Sequence, residues 1–253
     1  MVEADLIRSS LFRQHGLIAC FTLRTGGVSS APFNTLNFGE GLGDTSENTA
    51  ANLESLLKLA GIPDAPHQAR QIHGTNVLHC SGKGGMRDQE ADSLISDQAG
   101  TTLAVRTADC LPVLLADPEA GIIAAVHAGW RGTAANIAGR TIAHMQKLGA
   151  SSARMIASLG PCIGSCCFHI GEETAGALAA SASDADEFID HQQGTADLSG
   201  INHLQLQQAG LRDSNIETMQ ACTSCNSEMY FSFRRDHGKT GRHLAVVARP
   251  ANT

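Results

Sequence analysis

Five short apolar runs constrain what this chain can fold into: Thr102–Arg106, Val113–Ala116, Gly121–Val126, Met155–Leu159 and Leu244–Ala248. Each is far shorter than the roughly 20 residues that a membrane-spanning helix needs. None shows the apolar–polar alternation of a strand with one wet face, and Gly, Pro or Asp bounds most of them. Runs of this kind predict strands buried on both faces. The stretch Asp117-Pro118-Glu119-Ala120-Gly121 between two of them is a turn, so that pair reads as a hairpin. A hairpin brings in antiparallel pairing and argues against a purely doubly wound fold.

Helical segments separate the runs. In Glu47–Ala60, Leu53, Leu56, Leu57 and Ala60 share one face, with Ser46 as the expected N-cap and Gly61 as the stop. Thr133–Leu148 repeats the pattern with Thr133 as cap, and further helices are expected over Glu172–Ala180 and from Ser199 to before Gly210. Leu17–Arg24 reads as a strand, and a Gly-rich loop follows from Thr25 to Asp44. The polar segment Ser181–Thr195 reads as a mobile surface excursion. Strands mixed with helices give an α/β fold with α+β character, a single-domain sandwich over residues 1–253 in which a mixed central sheet is covered by helices.

Composition excludes several classes of function. With 18 Lys and Arg against 25 Asp and Glu, the net charge is -7, which gives no global attraction to nucleic acid or to anionic membranes. Glu3 and Asp5 stand where a secretory signal would be basic and then apolar, so a cytoplasmic protein is expected. Its eight cysteines are then thiols rather than a disulfide framework. Cys222-Thr-Ser-Cys225 is a C-x-x-C pair, and a structural zinc would have to complete it from Cys162, Cys166 and Cys167. That spacing is irregular and favours buried or incidental thiols. Gly39–Asp44, GEGLGD, lacks the glycine spacing of a dinucleotide loop.

Chemistry concentrates between Ala104 and Gly132. Cys110 follows Asp109 where two apolar runs meet, and His127 precedes a Gly129-Trp130-Arg131-Gly132 turn that enters a helix. Unpaired N–H groups at such a turn favour anions, and Arg131 adds a permanent charge with two-pronged geometry. Core packing explains a lone Cys or His equally well, and Trp130 reads first as a packing anchor. Asp109 is either an orienting partner of the site or a structural cap.

Seven motifs occur in order: TLRTGGVS (Thr22–Ser29), QIHGTNV (Gln71–Val77), ADSLIS (Ala91–Ser96), RTADCLPVLLAD (Arg106–Asp117), AAVHAGWRGT (Ala124–Thr133), GPCIG (Gly160–Gly164) and FSFRRD (Phe231–Asp236). Together they resemble the YfiH-type laccase-domain family, also called purine nucleoside phosphorylase or polyphenol oxidase proteins, over nearly the whole chain. The resemblance implies a single α/β sandwich related to toxin deamidase domains. It also implies one zinc ion held by His73, Cys110 and His127, with a fourth position open as catalytic zinc requires. Phosphorolysis of adenosine, inosine and 5′-methylthioadenosine to free base and ribose 1-phosphate is the implied activity, with adenosine deamination beside it. Arg24, Arg131 and Arg234 fall in matching motifs and are candidates to hold phosphate. Copper in the same site would give weak polyphenol oxidation. A multicopper architecture is not expected, because the 11 histidines include no H-x-H pair. Two alternatives stand: a Cys110-based amide hydrolase that edits peptidoglycan precursors, and a non-catalytic, metal-dependent binding protein.

Overall fold

A computed structural model describes residues 6–251, so Glu3 and Asp5 lie outside the described residues. The chain opens with β1 (Leu6–Arg8), α1 (Ser10–Arg13), β2 (Ile18–Thr22) and α2 (Ser46–Ala60), followed by β3 (His67–Arg70), β4 (Val77–His79), β5 (Gly85–Glu90) and β6 (Ser93–Ser96). Its centre is β7 (Thr101–Thr107), the hairpin β8 (Leu111–Asp117) and β9 (Ile122–Ala128), then α3 (Trp130–Ala134) and α4 (Ile137–Lys147). The remainder comprises β10 (Ile156–Leu159), α5 (Glu172–Ala179), β11 (Ile189–Asp190), β12 (Thr195–Ala196), α6 (Leu198–Gln208), β13 (Ile216–Thr218) and β14 (His243–Arg249).

The apolar runs form two mixed six-stranded sheets, ordered β1-β2-β14-β7-β3-β5 and β13-β10-β8-β9-β6-β4, in place of one central sheet. Period-2 alternation explains why the runs look continuous. Phe21, Leu103, Val105, Ala245 and Val247 of the first sheet meet Leu114, Ala116, Ile123 and Ala125 of the second. Their neighbours point the other way: Cys20, Ala104, Leu244 and Val246 pack against Leu56 and Ala60 of α2. On the second sheet Val113, Leu115, Ala124 and Val126 pack against Ile137, Ile142 and Met145 of α4. Each strand is thus dry on both sides, once against a sheet and once against a helix. Leu114, with no exposed surface, lies between the sheets, where truncation to Ala costs about 3 kcal/mol.

Helix boundaries differ from expectation in their caps. Thr45, not Ser46, caps α2 by accepting from the Asn48 N–H, and Gly61 closes it at φ 71°. The helix expected over Thr133–Leu148 is two helices, because Asn136 adopts φ 53° and its side chain accepts from the Gly139 N–H, starting α4 afresh. Asp197 caps α6. The segment Ser181–Thr195 is no loose excursion. Ala185 and Ile189 are buried in a satellite core with Leu178, Ala196 and Ile201, an apolar pattern too short to register as an element in the sequence. Among the described residues no helix is long and apolar enough to cross a membrane.

Candidate metal centre

The β8–β9 hairpin brings Cys110 and His127 to one end of the second sheet. Pro112 pairs with His127 across the hairpin, and Cys110 stands just before the first residue of β8. His73 arrives from the turn after β3 in the left-handed region, at φ 59°, and Asp109 beside Cys110 sits at φ 86°. Non-glycine residues held there are strained, and such strain gathers at functional sites. One ligand atom each from His73, Cys110 and His127 lies within 4.8 Å of the others. The His73 and His127 rings meet edge-on, centroids 4.9 Å apart. Gly129 leaves the space for this meeting, since a Cβ there would stand 3.0 Å from both Cys110 Sγ and His73 Cδ2.

Asp92, placed just before β6, organises the three. Its Oδ1 accepts from His127 Nδ1 at 2.8 Å and from the His73 N–H at 2.9 Å. Its Oδ2 accepts from the N–H groups of Gly74 at 2.7 Å and Ile72 at 3.1 Å. Burial opposes ionisation of Asp92, yet the His127 and backbone hydrogen bonds hold its carboxyl below the usual range. With Nδ1 committed to a carboxylate, His127 presents Nε2 outward, the arrangement seen around metal-bound histidines. Burial likewise opposes the Cys110 thiolate, but His127 and His73 bring its pKa down to about 6. Two imidazoles and a ready thiolate form a donor set that suits zinc or copper.

His73, Cys110 and His127 line a cavity of about 530 Å³, within the ordinary range for small-molecule sites. Arg131 and Arg234 line it as well. The Arg131 guanidinium lies 4.2 Å from the Trp130 ring centroid, while Arg234 donates to the His169 carbonyl at 3.1 Å. Arg24 does not reach the lining. It braces loops by donating to the carbonyls of Asn34 at 3.1 Å and Ser227 at 2.8 Å. Asp109 braces too, accepting from Thr223 Oγ1 at 2.6 Å and the Arg234 N–H at 2.7 Å, whereas the hydrogen bond to His127 belongs to Asp92. Sequence reasoning missed three lining or organising residues: Asp92, inside the ADSLIS motif, Arg106, at the head of RTADC, and Arg242, in none of the seven motifs. Arg106 and Arg242 line the cavity half-buried, and burial lowers the pKa of both.

Comparison with known proteins places the chain in a family and supports its fold. The family described as multi-copper polyphenol oxidoreductase laccase matches residues 18–250. A relative from Deinococcus radiodurans named purine nucleoside phosphorylase is 38% identical over 237 residues, covering 91% of this chain and 88% of its own. Purine nucleoside phosphorylase YfiH of Escherichia coli is 35% identical over 234 residues, 92% of this chain and 93% of its own. The crystal structure of YlmD from Geobacillus stearothermophilus superposes with a TM-score of 0.88 at 30% identity, covering 96% of this chain and 94% of that one.

Proposed function

Because the chain belongs to the family described as multi-copper polyphenol oxidoreductase laccase, whose members similar to it include proteins named purine nucleoside phosphorylase, we propose that it is a zinc-dependent enzyme that splits purine nucleosides with phosphate. The observation that carries this is the three-ligand set His73, Cys110 and His127 opening onto a cavity also lined by Arg106, Arg131, Arg234 and Arg242. His73, Cys110 and His127 would hold a zinc ion, which would supply Lewis acidity in the cavity.

The protein's own residues provide the rest. In phosphorolysis a phosphate oxygen bonds to ribose C1′ while the bond from C1′ to the purine nitrogen breaks, its electron pair leaving with the base. Phosphate must therefore be stripped of water and held without losing its charge. Arg106 and Arg242, half-buried and permanently cationic, suit that task better than the exposed Arg131 and Arg234. Phe168 and Phe233 line the same cavity, with Arg234 and Arg242 each 5.5 Å from their ring centroids, and the exposed Phe233 is the ring proposed to stack on the purine. Adenosine, inosine and 5′-methylthioadenosine are the proposed substrates. Deamination of adenosine is the proposed accompanying activity, and weak polyphenol oxidation the one expected with copper in the same ligands.

A second chemistry draws on a different observation. Asp92, His127 and Cys110 follow one another as orienting acid, base and thiol, with the Asp92–His127 contact at 2.8 Å, an order that also serves amide hydrolysis. A thiolate bound to metal is poorly available to attack carbon, so the two uses of Cys110 exclude each other. Chromatography of products from adenosine, with and without phosphate, separates the cases. Adenine that requires phosphate supports phosphorolysis, and inosine formed without phosphate means deamination. Chelator-resistant turnover of amides moves Cys110 to the nucleophile role. No product from any of them leaves a metal-dependent binding protein.

A further inference from the structure

We propose that Cys166, Cys167, Cys222 and Cys225 form a second metal site, a tetrathiolate that holds one structural zinc ion and clamps together two loops that wall the cavity. The four thiols come from two separate segments, the loop after β10 and the loop after β13. Their sulfurs all lie within 4.8 Å of one another, with Cys225 Sγ 3.5 Å from Cys166 Sγ and 3.4 Å from Cys167 Sγ. Four sulfurs at about 2.3 Å from a tetrahedral zinc ion stand about 3.8 Å apart, so the cluster needs only slight adjustment to close on a metal. All eight cysteines are free thiols. Of the remaining four, Cys20, Cys80 and Cys162 are buried, and Cys110 belongs to the first centre. Cys162, next to the cluster in sequence, is buried among apolar side chains and stays outside it.

Local backbone structure prepares the site. The backbone N–H groups of Gly164 and Cys225 face the Cys222 sulfur as hydrogen-bond donors. Donation from backbone to sulfur of this kind accompanies thiolates that ligate metals. Gly164 keeps the approach open, since a Cβ there would stand 3.2 Å from Cys222 Cβ and 3.4 Å from Cys166 Sγ. Binding replaces four S–H protons, released to solvent, by one zinc ion. Cys166 and Cys225 are exposed, which gives the ion a path in. Four protein ligands leave no open position, so the site holds structure and does no chemistry.

The clamp bears on the cavity through short links. The Thr223 N–H donates to the Cys162 carbonyl at 2.9 Å, and Thr223 Oγ1 donates to Asp109 at 2.6 Å, one residue from the ligand Cys110. Ile163 and Phe168, on the other clamped loop, line the cavity itself.

Metal analysis of protein purified under reducing conditions tests the proposal. Wild type is expected to hold two zinc ions per chain, Cys110→Ala one, and the double variant Cys222→Ser/Cys225→Ser one. The Cys110→Ala protein keeps the quartet intact, and its remaining zinc is expected to leave when a mercurial titrates the thiols. That measurement stands even if the double variant does not fold. Zinc content that falls to zero in Cys110→Ala overturns the proposal. So does iron in place of zinc, or an intact disulfide among these four cysteines in the freshly purified protein. Failure of the first metal centre alone would instead leave one zinc in wild type that survives Cys110→Ala.

Discussion

His127 donates its Nδ1–H to Asp92 Oδ1 at 2.8 Å, and the same carboxylate collects the N–H groups of Ile72, His73 and Gly74. One buried side chain thereby sets the ring orientation of one ligand and the backbone turn that delivers another. Asp92→Asn keeps the volume but points an amide N–H₂ at groups that are themselves donors. Zinc affinity of the first centre is expected to fall about 10–100-fold, read by competition with a chromogenic chelator. An unchanged affinity would separate Asp92 from the metal centre.

The hairpin and its turn were legible because Asp117 to Gly121 interrupts two apolar runs, and Cys110 and His127 stood out beside it, but only motif resemblance joined His73 to them. His73, Cys110 and His127 are distant in the chain, and no periodicity links a turn after β3 to the ends of β8 and β9. Asp92 escaped notice for a related reason. A lone acid before a buried strand looks like a boundary residue until its four donors are seen. Two sheets were read as one because an apolar run does not say whether its second face meets a helix or another sheet. The thiol quartet was dismissed on spacing, since Cys166-Cys167 and Cys222–Cys225 match no common zinc pattern until the two loops are placed side by side.

Arg106 and Arg242 carry the phosphate proposal. Replacing either by Gln removes a charge-assisted hydrogen bond to the anion, and the KM for phosphate is expected to rise about 10–100-fold. Initial-rate kinetics at saturating nucleoside measures this. The same variants are expected to leave zinc content untouched, whereas loss of metal would place these arginines in support of the centre rather than on the anion.

His243 predicts how stability depends on pH. Its Nε2 accepts from the Phe231 N–H at 2.8 Å, and burial, with Arg24 nearby, lowers its pKa to about 3 from an unfolded value near 6.5. The folded protein therefore keeps this imidazole neutral while the unfolded chain binds a proton. Its contribution is fully present above pH 6.5 and is lost as pH falls from there towards 3. This group alone is expected to lower stability by about 2 kcal/mol between pH 7 and pH 5. Denaturant titrations at both pH values check the slope, and His243→Gln is expected to flatten it. A slope that persists in the variant would assign the acid sensitivity elsewhere.

The central claim is that one metal, held by His73, Cys110 and His127, carries nucleoside turnover. Its most direct test measures metal content and adenosine phosphorolysis together in wild type and in Cys110→Ala. Loss of the zinc assigned to this centre and of turnover in the same variant is the predicted result. Adenine released at the wild-type rate by Cys110→Ala protein that lacks that zinc would contradict it.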